Sequence, residues 1–244
     1  MNEPVIAAAT RTAIGTFAGA LKDTDAHLLG ARVVAVALER SKMDTAFVDE
    51  VIMGSIYQGG AGPNAARQAA VAAGVPYEVP SMTVNKMCGS GLKAIALAAQ
   101  SIQLGDSSLS VAGGMENMSR APYVLPKGRW GERLGHGELV DTLLSDGLWD
   151  CFYDCHMGVT AENLAHEYAI TRDEQDRFAM RSQERYQAAV SRGAFEAEIA
   201  HLELPRRKGE PLLFNVDEHP KKGTSLERLG QLKPAFLDDG TVTA

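Results

Sequence analysis

The sequence predicts an α/β fold, and three observations carry that expectation. Apolar runs of strand length alternate with apolar-faced stretches of helical length as far as Gly114. The second and third helical stretches run into glycine, a stop signal. Hydrophobic residues make up 45% and charged residues 23% of the 244, which suits a packed core and is far from the composition of disorder.

The elements follow in order. Val5 to Ala9 reads as a strand. Leu28 to Arg40 places Leu28, Leu29, Val33, Val36 and Ala37 on one broad apolar face, which predicts a packed helix. Val51 to Tyr57 reads as a second strand, and the Ala-rich Asn64 to Ala73 as a helix stopped by Gly74 with Pro76 beyond. Met82 to Val84 is a short strand, Ser90 to Leu104 a helix closed by Gly105, and Leu109 to Ala112 a last strand entering Gly113 and Gly114. The order βαβαβαβ predicts a sheet covered by helices.

After Glu116 the text turns rich in Met, Pro and Gly, which suggests a second unit. Two helices are expected in it, Thr160 to Tyr168 and Arg172 to Ser191, the latter opened by Thr171 with Glu174 three residues on, a capping box. Arg206 to Lys233 reads as polar loop. Asp238, Asp239 and Gly240 signal a turn, and Thr241 to Thr243 begins something β-like just before Ala244, as a fragment or split gene product would.

Charge narrows the partners. The balance of 24 basic and 31 acidic residues gives −7, which argues against nucleic acid or an anionic membrane as partner. The clusters Arg206-Arg207-Lys208 and Lys221-Lys222 read as solvated loop or as a local site for a ligand's phosphates. No signal peptide or membrane span is expected, and three cysteines in an acidic chain do not resemble a secreted disulfide framework, so a cytoplasmic location is expected.

The stretch richest in chemistry is Val84-Asn85-Lys86-Met87-Cys88-Gly89-Ser90-Gly91, at a strand-to-helix junction. A cysteine at a helix N-terminus feels unpaired N–H groups and the positive end of the helix dipole, which favour a thiolate. Gly89 and Gly91 permit close approach of a substrate, with N–H groups placed to face an oxyanion. The same cysteine also reads as a small buried hydrophobe beside a turn. Two other patterns lead nowhere. Cys151-x-x-x-Cys155-His156 is one residue too long for haem attachment and lacks a second pair for zinc, and Gly59, Gly60 and Gly62 do not make a dinucleotide fingerprint, so no metal is expected.

The segment around Cys88 resembles the nucleophile motif of thiolases, N-x-x-C-x-S-G. Pro4 to Gly15, Asn64 to Gln68, Ala112 to Ser119, and His156-Met157-Gly158 followed by Thr160 to Asn163 resemble other signatures of that family, so the likeness covers essentially the whole chain. It implies a first half-fold, βαβαβαββ, in residues 1–118, an inserted substrate-binding loop domain in 119–244 that is incomplete at its C-terminal end, and a second half that is absent here.

The resemblance also implies roles. Cys88 would accept the acyl group; Leu148, His156, Met157 and Phe236 would line the pocket for coenzyme A and a short acyl chain; Lys221 would stand where an arginine contacts the nucleotide end, keeping the charge without the bidentate fork. His156 also reads as a structural histidine. Coenzyme A is then a substrate, no separate cofactor is required, and a homo-oligomer, dimer or tetramer, is implied. The family's G-H-P histidine and C-x-G-G-G cysteine have no counterparts: Glu218 precedes His219-Pro220, and no glycines follow Cys151 or Cys155. The isolated chain is therefore expected to be an inactive piece of an acyltransferase of the short-chain acetoacetyl-CoA type. The alternatives are a long-chain 3-ketoacyl-CoA thiolase, a ketoacyl synthase, or a non-catalytic binding or assembly subunit.

Overall fold

The computed structural model describes residues 2–206 and 208–243. Arg207 of the basic cluster lies outside them, as do Met1 and Ala244, the outer ends of the two expected domains. The elements in chain order begin with β1 (Arg11–Thr12), α1 (Ala26–Ser41), β2 (Glu50–Gly54), α2 (Ala65–Ala72), β3 (Ser81–Val84), α3 (Ser90–Leu104) and β4 (Ser110–Gly114). They continue with β5 (Tyr123–Val124), β6 (Val140–Asp141), β7 (Trp149–Asp150), β8 (Cys155–His156), α4 (Met157–Glu167), α5 (Arg172–Ser191), β9 (Ile199–Ala200), β10 (Leu202–Leu204), β11 (Leu212–Phe214) and α6 (Leu226–Gly230).

Two compact units result: Met1–Leu143 with Glu198–Asp217, and Leu144–Ala197 with Glu218–Ala244. Met118 lies within the first. There a parallel sheet of order β3-β2-β4 forms the middle layer. Side chains of a strand alternate between faces, and β2 shows it. Val51 and Met53 join Val34 and Leu38 of α1 and Ala66, Ala69 and Ala70 of α2 in one core. Ile52 joins Ala94 and Ala98 of α3 in the other.

Helices α2, α4, α5 and α6 start where a side chain takes an orphan N–H group. Asn64 Oδ1 accepts from Arg67 N at 3.2 Å to open α2. Thr171 and Glu174 exchange bonds across the start of α5, the capping box expected there. At α1 and α3 no side chain caps the N-terminus among the described residues.

Three expectations fail, each because the segment joins no strand ladder. Val5 to Ala9 is not a strand: it enters no ladder, and Val5 and Ile6 are 81% and 78% exposed. Pairing begins only at β1, parallel to β9, where the Arg11 guanidinium binds Glu198 and Asp217. The second strand stops at Gly54 rather than Tyr57 because the N–H groups of Ile56 and Tyr57 go to the Glu116 carboxylate. Thr241 to Thr243 makes no strand either, since Thr241 N and Val242 N donate to Glu162. The polar tract from 206 to 233 is more ordered than expected, holding β11, antiparallel to β10, and α6.

Among the described residues no helix is long and apolar enough to cross a membrane, and no group of His, Cys, Asp or Glu is placed to hold a metal ion.

Candidate active site

Residues 85–89 carry the chain from β3 into α3 through a tight turn. Gly89 N donates to Lys86 O at 3.2 Å and Ser90 N to Met87 O at 3.0 Å. The Ser90 hydroxyl donates to Met87 O at 2.5 Å and accepts from Lys86 N at 2.8 Å, while Asn85 Oδ1 accepts from Met87 N at 3.0 Å. These bonds hold Met87 at φ 51°, a left-handed conformation that a side chain disfavours. The turn leaves Cys88 exposed just ahead of α3. Gly89 N–H is engaged within it, so the role expected for that group at an oxyanion does not fit this geometry.

Three glycines let the start of α3 lie on the carboxyl ends of β2 and β4. A Cβ on Gly54 would sit 2.6 Å from Gly91 N, and one on Gly114 3.3 Å from Gly91 Cα. The result is a cavity of about 320 Å³ whose walls include Ser55, Ile56, Met87, Cys88, Met115 and Glu116. A larger open cleft of about 550 Å³ near Phe17 and Tyr123 holds no cysteine, and its cations Lys22 and Arg120 are each paired with an aspartate. The smaller cavity is the one lined by Cys88, the residue expected to act as nucleophile.

Glu116 is the titratable neighbour of Cys88 in that cavity. Its carboxylate accepts from Ile56 N at 2.7 Å, Tyr57 N at 3.3 Å and Ser55 Oγ at 3.4 Å. Burial pushes its carboxyl above the usual range, against the pull of these donors.

In the second unit the antiparallel pair Trp149↔His156 brings Leu148 and Met157 to one end of a hairpin. His156 is the N-cap of α4, its Nδ1 accepting from Gly158 N at 2.9 Å. Its ring stacks on Phe236, centroids 4.9 Å apart and planes inclined at 25°. Gly158 makes room, since a Cβ there would lie 2.2 Å from the Phe236 ring. His156, Met157 and Phe236 are thus gathered and half-buried, and the half-buried Leu148 stands by the same hairpin. Lys221 is exposed on a separate segment, its backbone N–H given to Gln183 Oε1 at 3.0 Å. Cys88 belongs to the other unit.

The profile of "Thiolase, N-terminal domain" matches residues 4–244. This chain belongs to the thiolase family. An acetyl-CoA acetyltransferase of Pseudomonas aeruginosa is 55% identical over the whole chain, and one of Cupriavidus necator 52%. The crystal structure of the Bacillus anthracis acetyl-CoA acetyltransferase superposes with a TM-score of 0.95 at 44% identity, covering all of this chain and 61% of that one. The thiolase chain spans 62% of the length of the two curated relatives.

The contacts that Glu116, Gly54, Gly114 and Gly158 make in this thiolase emerge only in the tertiary structure. The glycines did leave a signal, since Gly54 and Gly114 each end a strand of the sheet. Glu116 left none beyond its place in a signature, because its partners lie about sixty residues away in sequence.

Proposed function

We propose that this chain supplies the nucleophile and the short-acyl-CoA contacts of an acyltransferase of the acetoacetyl-CoA thiolase type. The observation that carries the reading is Cys88, held exposed by a strained turn ahead of α3 in a cavity of its own. The relatives' names, acetyl-CoA acetyltransferase, support the substrate class.

In thiolysis the Cys88 sulfur attacks the 3-keto carbonyl of a 3-ketoacyl-CoA. The bond between the α and β carbons then breaks, acetyl-CoA leaves with a proton on its α-carbon, and the acyl group stays on Cys88. A second coenzyme A thiol takes that acyl group and returns the proton to the cysteine. Condensation is the reverse.

Residues 1–118 would form the N-terminal α/β domain and 119–244 the loop domain, where Leu148, His156, Met157 and Phe236 contact the acyl-CoA and Lys221 its nucleotide end. A bulky His156-Met157 pair leaves little room for added methylenes, each worth roughly 1–3 kcal/mol in such discrimination. The working enzyme is a cytoplasmic homo-oligomer. The isolated chain lacks the histidine and second cysteine that the family uses as bases, and loss of base assistance alone costs about 10²–10⁴ in rate.

The test compares cleavage of acetoacetyl-CoA by the 244-residue chain and by the chain joined to the C-terminal part of the Pseudomonas aeruginosa relative. The joined protein should turn over, lose activity on Cys88→Ala, and prefer acetoacetyl-CoA to a substrate of about twelve carbons. Turnover near ~1 s⁻¹ by the chain alone, or full activity of the Cys88→Ala form, would defeat the assignment.

A further inference from the structure

We propose that Glu116 is a positioning residue for the Cys88 cavity: its carboxylate fixes the Ser55–Tyr57 segment that forms part of the cavity wall. The inference rests on the reading of Cys88 as nucleophile and assigns a role to a residue outside the acyl-CoA contacts.

The geometry requires a carboxylate. Beyond Ser55, whose N–H donates to Val84 O, the segment leaves the ladder, and its next two N–H groups need acceptors. Glu116 Oε2 takes Ile56 N, while Oε1 takes Tyr57 N and the Ser55 hydroxyl. A glutamine in the same pose would present an NH₂ to one of those donors, because only an ionised carboxylate accepts on both oxygens. The neighbouring Asn117 makes the contrast. Its amide donates to Leu21 O at 2.8 Å and Thr24 O at 2.7 Å, a tether that needs no charge.

A half-buried carboxylate carries a desolvation cost, and N–H and O–H donors rather than a cation offset it here. A carboxylate whose donors lie on the wall beside Cys88 ties that wall to the end of β4. β2 and β4 end in register at the Gly54↔Gly114 pair, and Met115 N still donates to Gly54 O at 2.9 Å. Glu116 therefore sits one residue past a fixed rung and transmits the position of the sheet to the wall.

The test uses the 244-residue chain and reads how Cys88 discriminates by reagent size. Rates of alkylation by iodoacetamide and by a bulky N-aryl maleimide are measured at Cys88, with Cys151 and Cys155 in the same samples as references. In Glu116→Ala the ratio of the two rates at Cys88 should fall at least about threefold as the wall loosens, with the ratios at Cys151 and Cys155 unchanged. Glu116→Gln, which keeps one acceptor, should lie between. An unchanged ratio at Cys88, or an equal fall at all three cysteines, overturns the proposal. Failure of the acyltransferase reading would show separately, as turnover in the joined protein that survives Cys88→Ala.

Discussion

Gly54 and Gly91 meet so closely that a Cβ on the first would lie 2.6 Å from the backbone nitrogen of the second. This contact seats the start of α3, and with it Cys88, on the end of β2. The obstacle to a side chain at Gly54 is backbone, which cannot turn away as a side chain does. Gly54→Ala should destabilise the first unit by about 1–3 kcal/mol. Urea unfolding would measure it, and a midpoint unchanged from wild type would remove the argument for a forced close approach.

Cys88 should be the first cysteine alkylated. Cys151 is also exposed, so exposure alone does not separate them. What separates them is position: Cys88 lines a cavity just ahead of α3, whose first N–H groups no side chain caps among the described residues, whereas Cys151 lies in the turn between β7 and β8. Limiting iodoacetamide followed by peptide mapping gives the order, and earlier labelling of Cys151 or Cys155 would count against the nucleophile.

The stack of His156 on Phe236 should depend on Gly158. A methyl group there overlaps the Phe236 ring, so Gly158→Ala should cost about 1–3 kcal/mol. Adding Phe236→Leu, a smaller side chain, should recover part of that loss. Thermal unfolding of the single and double variants decides it; additive losses in the double variant would mean that the two positions do not press on each other.

Glu162 should make the second unit acid-sensitive. Its side chain is buried, at 7% exposure, which works against its charge. The N–H groups of Thr241 and Val242 and the Thr241 hydroxyl outweigh that and hold its carboxyl below the usual range. A depressed folded-state pKa contributes stability that is present above the unfolded value, near ~4.3, and lost as pH falls through the folded one. Glu162→Gln should therefore lose about 1–3 kcal/mol at neutral pH and show a flatter acid limb. Denaturant midpoints at neutral pH and at about pH 3 would settle it, and parallel pH curves for the two proteins would exclude the role.

Local signals in the chain were enough for several elements. Ser90–Leu104 and Arg172–Ser191 are helices over the same residues in sequence and structure, because a glycine stop and a capping box are local chemistry. The strand-to-helix setting of Cys88 was legible for the same reason, as were the family signatures around it. The sequence also determined that Val51 and Met53 face away from Ile52, since alternation is a property of the extended backbone. Where β2 ends, and whether Val5 to Ala9 or Thr241 to Thr243 is a strand, only the tertiary structure decided. A strand exists through the partners of its N–H and C=O groups, and those partners lie far away in sequence. Glu116 takes the N–H groups of Ile56 and Tyr57, Glu162 takes those of Thr241 and Val242, and Val5 to Ala9 meets no ladder among the described residues. Apolar alternation shows what a segment is suited to, and hydrogen-bond partners brought from a distance fix what it becomes.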